Sequence, residues 1–381
     1  MRWSVPEYVV SRMDHEGYVE PPVTSSDTYP DYIAQEVQKT VEAVQAHQNA
    51  NTFTFGFITD THYAVRLKPT HQIRARRYLN AFREIAKRAH VEFLAMGGDH
   101  VNDGDKQYKS DCFRGLRAEL DGIRYFPANG NHDDNSIWDD NFIPADVATQ
   151  HLTREERYVL FYNHVPSQGG KINRKAPGLY YYVDNADVKV RSIFLDTGDI
   201  PYIFDNGKLR YLHQGTYAFS QEQLDWLTDT ALKFDEPGWT VVLFGHVPPV
   251  LRGVDDDEDI SHLNILQDIL KAYKEGGSCS VEKGVGSDFH QKVEADFSGY
   301  HRAEIACMML GHMHTDHTVV HDGIRYIETG CGIMYTGSKH NLPRKDGTAS
   351  EILFDIVTID PVKRTIHLAR AGAGEDREFT Y

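Results

Sequence analysis

Five short apolar runs in this 381-residue chain end in residue types that bind metal ions. Asp60-Thr61-His62 follows the run at 53–59, Gly98-Asp99 follows 91–96, and Gly130-Asn131-His132-Asp133 follows 123–128. Gly245-His246 closes the run at 239–245, and Gly311-His312-Met313-His314 closes 303–311. Asp, His and a single Asn offer mixed oxygen and nitrogen donors, which suit manganese, iron, zinc or similar divalent ions better than a thiolate cage would. Two such ions bridged by a carboxylate, about 3.5–4 Å apart, can clamp both ends of a phosphoryl displacement. Two ions bring four positive charges, Asp60 and Asp99 remove two, and a bridging hydroxide removes one. About one positive charge is then left to attract a phosphate inside a chain of net charge −16. Singly, a Gly-Asp or Gly-His is an ordinary turn; the ordered set, each member after an apolar run, carries the reading.

Loops of this kind need strands to bring them together. Ligands of open α/β sheets bind beyond the carboxyl ends of the strands, so the five loops are expected to converge on one edge. Strands are expected at the five runs and also at 191–196, 324–328, 352–359 and 365–369, with helices near 70–89, 105–120, 220–234 and 262–274. Ser220 and Gln223 have capping-box spacing at the start of the third helix. The last two strands have little helix between them, so an antiparallel element is expected to close the sheet.

The domain reading is an N-terminal arm and docked helix over 1–50, then one α/β domain over 51–381. Ile33, Val37, Val41 and Val44 form one helical stripe for docking, with dimerisation as the other use of that helix. Three stretches, 134–178, 199–218 and 276–301, are long for connections and are expected to wall the substrate site. The acidic run at 255–259 reads as a solvated loop.

Composition narrows the function classes. Hydrophobic residues at 40% and charged residues at 25% are ordinary for a globular chain, which excludes disorder and a disulfide miniprotein. Lys plus Arg at 40 against Asp plus Glu at 56 disfavours a nucleic-acid binder or an anionic membrane surface. Cys112, Cys279, Cys307 and Cys331 form no CxxC pair and read as reduced thiols. With no apolar signal region after Met1 and no stretch near the roughly 18 apolar residues of a span, the expected compartment is the cytoplasm.

The order D-x-H, G-D-x-x-N, G-N-H-D, G-H and G-H-x-H resembles the calcineurin-like metallophosphoesterases over roughly residues 53–330. That resemblance implies a four-layer αββα sandwich with mixed sheets and a dinuclear metal centre at the strand C-terminal edge. It implies Asp60, His62, Asp99 and His314 on one ion, and Asp99, Asn131, His246 and His312 on the other. A metal-bridging hydroxide would attack a phosphodiester or phosphomonoester. His132 would protonate the leaving group, and Asp133 would orient His132.

Departures narrow the branch. The purple acid phosphatases carry a tyrosine where this chain has Asn102, and the protein phosphatases an arginine where it has Asp103. Residues 98–104 and 244–249 look more like the cyclic-nucleotide phosphodiesterase group, so diesters are expected over monoesters. His100, Tyr63 and Arg66 are candidate substrate contacts. Tyr180-Tyr181-Tyr182 reads as part of a β-hairpin with alternate faces buried rather than as the lining of a base or sugar pocket, and Cys331 as a small buried residue rather than a nucleophile. The alternatives are a nuclease of the same superfamily and a non-catalytic metal-binding platform; the expected partner is a small phosphate ester, and oligomeric state is open.

Overall fold

Apolar runs short enough to be strands, separated by amphipathic helices, build two mixed β-sheets. The computed structural model describes residues 29–65, 69–136, 147–173, 178–250, 261–334 and 342–381. One sheet has the order β17 (Arg377–Thr380), β16 (Thr365–Gly372), β15 (Leu353–Asp360), β1 (Phe53–Ile58), β2 (Leu94–Met96), β3 (Tyr125–Pro127). Here β1, β2 and β3 run parallel, while β15, β16 and β17 are an antiparallel meander joined to β1. The other sheet has the order β13 (His317–His321), β14 (Ile324–Glu328), β12 (Glu304–Leu310), β9 (Thr240–Phe244), β6 (Val190–Phe194), β5 (Tyr181–Asn185), β4 (Lys171–Ile172). Its centre, β6, β9, β12 and β14, is parallel, and both edges are antiparallel.

The strands are hydrophobic on both faces because each sheet is covered on both sides. In β9, Val242 and Phe244 face the first sheet, where the Phe244 ring meets Phe55 at 5.2 Å. Val241 and Leu243 turn the other way, into a second core with the helices Gln221–Trp226 and Ile265–Glu275. The same alternation splits the tyrosine triplet: Tyr181 packs between the sheets and Tyr180 in the outer core. Each fully buried phenylalanine of the inter-sheet layer contributes roughly 1.5–3 kcal/mol. The helices Asp31–His47, Pro69–Ala89 and Lys106–Glu119 cover the outer face of the first sheet, completing the αββα sandwich. Gly56 makes one of these contacts necessary: a Cβ there would stand 2.4 Å from Phe82 of the helix Pro69–Ala89.

Ile33, Val37, Val41 and Val44 are all buried, and their helix packs on the helix Pro69–Ala89 and on β16. Ser220 caps its helix as its spacing predicts, accepting from the Gln223 N–H at 3.2 Å. Several features differ from the expected elements. β13 and β17 are short edge strands, half-exposed or charged, and so lack an apolar run. The stretches 199–218 and 276–301 hold hairpins of their own, β7 (Phe204–Asp205) with β8 (Lys208–Leu209), and β10 (Ser278–Lys283) with β11 (Gln291–Asp296). The acidic run at 255–259 and residues 1–28 of the arm lie outside the described residues. No helix among the described residues is long and apolar enough to cross a membrane.

Candidate metal centre

Five parallel strands, β1, β2 and β3 of one sheet and β9 and β12 of the other, end on a common edge, and each hands the chain to one of the five motifs. The turns there are sharp. Asp60, His62, Asp99, His312 and His314 all have positive φ, between 38° and 70°, a conformation L side chains seldom adopt. Such strain persists only where the surrounding structure over-determines it, and it clusters at functional sites. Two motif glycines permit the close approach of the loops. A Cβ on Gly130 would lie 1.9 Å from the Asp99 nitrogen, and one on Gly311 would lie 2.0 Å from Thr59 Oγ1 and 2.5 Å from Asp60 Oδ2.

Asp60 and Asp99 are buried and tied down on one oxygen each, leaving the other toward the imidazoles. Asp60 Oδ2 accepts from Thr59 Oγ1 at 2.6 Å and from the His312 N–H at 3.0 Å, while Oδ1 is 3.0 Å from His314 Nε2. Asp99 Oδ1 accepts from the His132 N–H at 2.9 Å; Oδ2 stands 3.3 Å from His246 Nε2 and 3.6 Å from His62 Nε2. His246 donates Nδ1–H to the Gly97 carbonyl at 2.7 Å, so in the neutral ring its Nε2 presents a lone pair. That lone pair faces two more acceptors, Asn131 Oδ1 at 2.9 Å and Asp99 Oδ2. Asn131 Oδ1 is also 3.1 Å from His312 Nδ1, and the Asn131 amide donates from Nδ2 to the Gln214 carbonyl at 3.3 Å.

Acceptors aimed at one another require positive charge between them. Burial disfavours a charge on His246, yet the Asp99 and Asp60 carboxylates overcome this and push its ring up to about 10. Burial likewise opposes ionisation of Asp60 and Asp99, but the facing imidazoles hold both below the usual carboxylate range. Burial takes His62 down to about 4 and, with His246, takes His312 down to about 3, so both rings keep lone pairs for a cation. The ligand atoms of Asp60, His62 and His314 lie within 4.8 Å of one another, as do those of Asp60, Asp99 and His246. These residues fit divalent ions by donor type and by their unmatched acceptors.

His132 sits beside this cluster, its ring 5.4 Å from that of His62 and its side chain 22% exposed, so it can meet a solute. Its partner corrects one expectation. Asp103, not Asp133, holds the imidazole, with Oδ2 2.8 Å from Nδ1, and the buried Lys109 ammonium holds Asp103 Oδ1 at 3.2 Å. Burial opposes protonation of His132, but Asp99 and Asp103 raise it to about 9. Asp133 instead fastens backbone, accepting the N–H groups of Gly130 and His100 at 2.8 Å each, and so holds the loop rather than the ring. In the sequence Asp103 stands out only as the residue where protein phosphatases have arginine; its pairing with His132 bridges 29 positions and leaves no local signal.

The lesser candidates fare differently. His100 is buried, with Nε2 2.7 Å from the Ala128 carbonyl and its ring on Phe161, so it is not a substrate contact. Tyr63 is buried too, and its hydroxyl points to Glu119 at 3.4 Å, away from the cluster. Arg66 lies outside the described residues. Cys331 is buried and its thiol is pushed up to about 12 by burial, which keeps it protonated. The three long insertions meet around a cavity of about 350 Å³, with Arg154 from the first, Asp199 from the second and Phe289 from the third.

The calcineurin-like phosphoesterase family model matches residues 53–316, and the chain belongs to that family. Membership makes metal-dependent hydrolysis of phosphate esters its general chemistry. Among curated proteins none matches. Of solved structures, the chain is similar to GAP50, the anchor in the inner membrane complex of Plasmodium, at 13% identity and TM-score 0.45, covering 86% of this chain and 89% of that one. It is also similar to a conserved uncharacterized protein, a predicted phosphoesterase, from Streptococcus pneumoniae, at 10% identity and TM-score 0.30, covering 87% and 98%. A third is the phosphopantetheinyl hydrolase of Mycobacterium tuberculosis, at 13% identity and TM-score 0.34, covering 74% and 91%.

Proposed function

We propose that this chain hydrolyses a small phosphate ester, diesters in preference to monoesters, with two divalent ions, manganese, iron or zinc. The observation that supports this is the convergence of Asp60, His62, Asp99, Asn131, His246, His312 and His314 on one sheet edge beside an accessible histidine. Asp60, His62, Asp99 and His314 would hold one ion, and Asp99, Asn131, His246 and His312 the other, with Asp99 shared. When bound, the ions make water a nucleophile near neutral pH and screen the phosphate charge.

The remaining work falls to the chain's own groups. His132, held at Nδ1 by Asp103, keeps Nε2 to give a proton to the departing alkoxide, and the neutral ring left behind still donates Nδ1–H to the carboxylate. Both the raised affinity of the ring for its proton and its exposure suit an acid. Asp103, an anion where a phosphate-clamping cation would serve a dianionic monoester, supports the diester preference. The four free, buried cysteines support a reducing compartment, the cytoplasm.

Hydrolysis of bis-p-nitrophenyl phosphate and p-nitrophenyl phosphate, after chelation and re-addition of Mn, Fe, Zn, Ni or Mg, tests the reading. Metal-restored diester cleavage is expected. Equal or faster monoester cleavage would reverse the preference, and no restored cleavage of either ester would count against the hydrolase assignment.

A further inference from the structure

Resting on the two-ion reading, we infer that the half of the centre made by Asn131, His246 and His312 is set by the insertion 199–218, through Gln214, whereas the other half is independent of it. The reason lies in the difference between an amide and a carboxylate. Asp60 and Asp99 present oxygen whichever way they turn, but Asn131 rotated by half a turn would offer NH2 to the lone pairs of His246 and His312 and abolish a cation site. What decides between the two orientations is the Gln214 carbonyl, which can only accept, and therefore takes Nδ2 at 3.3 Å.

Gln214 is itself fastened to the motif loop by a turn just beyond it. The Gln214 N–H donates to the Ser136 carbonyl at 3.3 Å, and the His213 N–H donates to Ser136 Oγ at 2.9 Å. Ser136 in turn donates its N–H and hydroxyl to Asp134 Oδ1, each at 2.8 Å. Asp134 Oδ2 receives the Tyr202 hydroxyl at 3.0 Å and lies 3.1 Å from His213 Nδ1, so a third residue of the insertion, Tyr202, closes the arrangement. Ser136, Asp134 and His213 are buried, which leaves the hydroxyl no water to exchange for these bonds. Tyr217 adds a further contact: its hydroxyl donates to the Gln214 carbonyl at 2.5 Å, and its ring meets the His312 ring edge-on at 5.5 Å. Ser136 and Gln214 are thus positioning residues for the Asn131 half.

Calorimetric titration of the metal-free protein with Mn²⁺ separates the two halves. The unaltered chain should take up two ions in two steps. In Ser136→Ala one step should stay within about twofold while the other weakens by roughly tenfold or more, the usual effect of losing a group that orients a ligand. Ser136→Thr, which keeps the hydroxyl, should restore most of the lost step. Should the alanine variant fold poorly, Tyr202→Phe removes one hydroxyl from Asp134 and should weaken the same step alone. Two steps unchanged in both variants, or both steps weakened alike, would overturn the inference. Fewer than two ions on the unaltered chain would instead overturn the two-ion reading beneath it.

Discussion

The two halves of the centre share Asp99 yet are anchored in opposite directions. The half with Asp60, His62 and His314 is tied to the C-terminal meander: Asp316, two residues past His314, accepts from Arg370 of β16 at 2.9 Å and from the Gly330 N–H at 3.0 Å. Arg370 is buried and paired also with Asp355, so this half rests on an ion network between the two sheets. The half with Asn131, His246 and His312 rests on hydrogen bonds to an insertion, gathered on the buried Asp134 carboxylate. The difference teaches that one centre can combine a part built into the sandwich with a part that varies with its loops.

The largest effect should come from the shared ligand, which breaks the comparison by removing both halves together. Asp99→Asn is expected to lower metal-dependent turnover by about a thousandfold or more and to reduce bound Mn²⁺, read by elemental analysis and diester cleavage. A variant retaining both ions and near-normal rate would show that Asp99 does not join the halves.

His132→Ala should spare both halves. Metal content is expected to stay at two ions, while turnover of an alkyl ester falls roughly 10²- to 10⁴-fold. An ester of p-nitrophenol, whose leaving group needs no proton, should lose little. Equal losses on both esters would remove His132 as the acid.

Asp103→Asn acts one step further away. Asp103 helps hold the His132 pKa up at about 9, and the ring serves as an acid only below its pKa. Without that carboxylate the alkaline limb of the rate profile should move to lower pH, a loss of roughly tenfold near pH 8 with acid-side rates little changed. An unmoved limb would detach Asp103 from the chemistry.

The smallest effect sharpens the contrast in anchoring. Asp316→Asn should destabilise the fold by about 2 kcal/mol in urea unfolding at neutral pH, the usual scale for a hydrogen bond to a charged group. It should also weaken the ion step that Ser136→Ala leaves alone. Burial opposes ionisation of Asp316, but Arg370 holds its pKa below the ordinary value of an unfolded aspartate. Its stabilisation is therefore fully present above that unfolded value and lost as pH falls through the lower folded one. The gap between variant and wild type should close in acid; a gap that persists there would assign the loss to packing instead of charge.

Much of this was legible in the residues. Apolar runs ending in Asp, Asn or His placed the seven candidate ligands on five turns, because a buried strand must be apolar and its liganding residue must come where it ends. The helix stripe from Ile33 to Val44 and the Ser220 cap were legible for the same reason, being local and periodic. The edge strands β13 and β17 were not, since an edge lacks the burial that writes an apolar pattern. His100 and Tyr63 misled because neighbours along the chain of a liganding residue point under the loop as readily as out of it.

The amino-acid sequence by itself therefore determined which strands would end in donors, which family pattern they follow and how much negative charge surrounds them. Only the tertiary structure decided which groups from separate turns, strands and insertions meet. Asp103 on His132, Gln214 on Asn131 and Arg370 on Asp316 join positions 29, 83 and 54 residues apart. Contacts over such separations depend on how packed sheets and insertions approach each other, and no local periodicity in the chain records that approach.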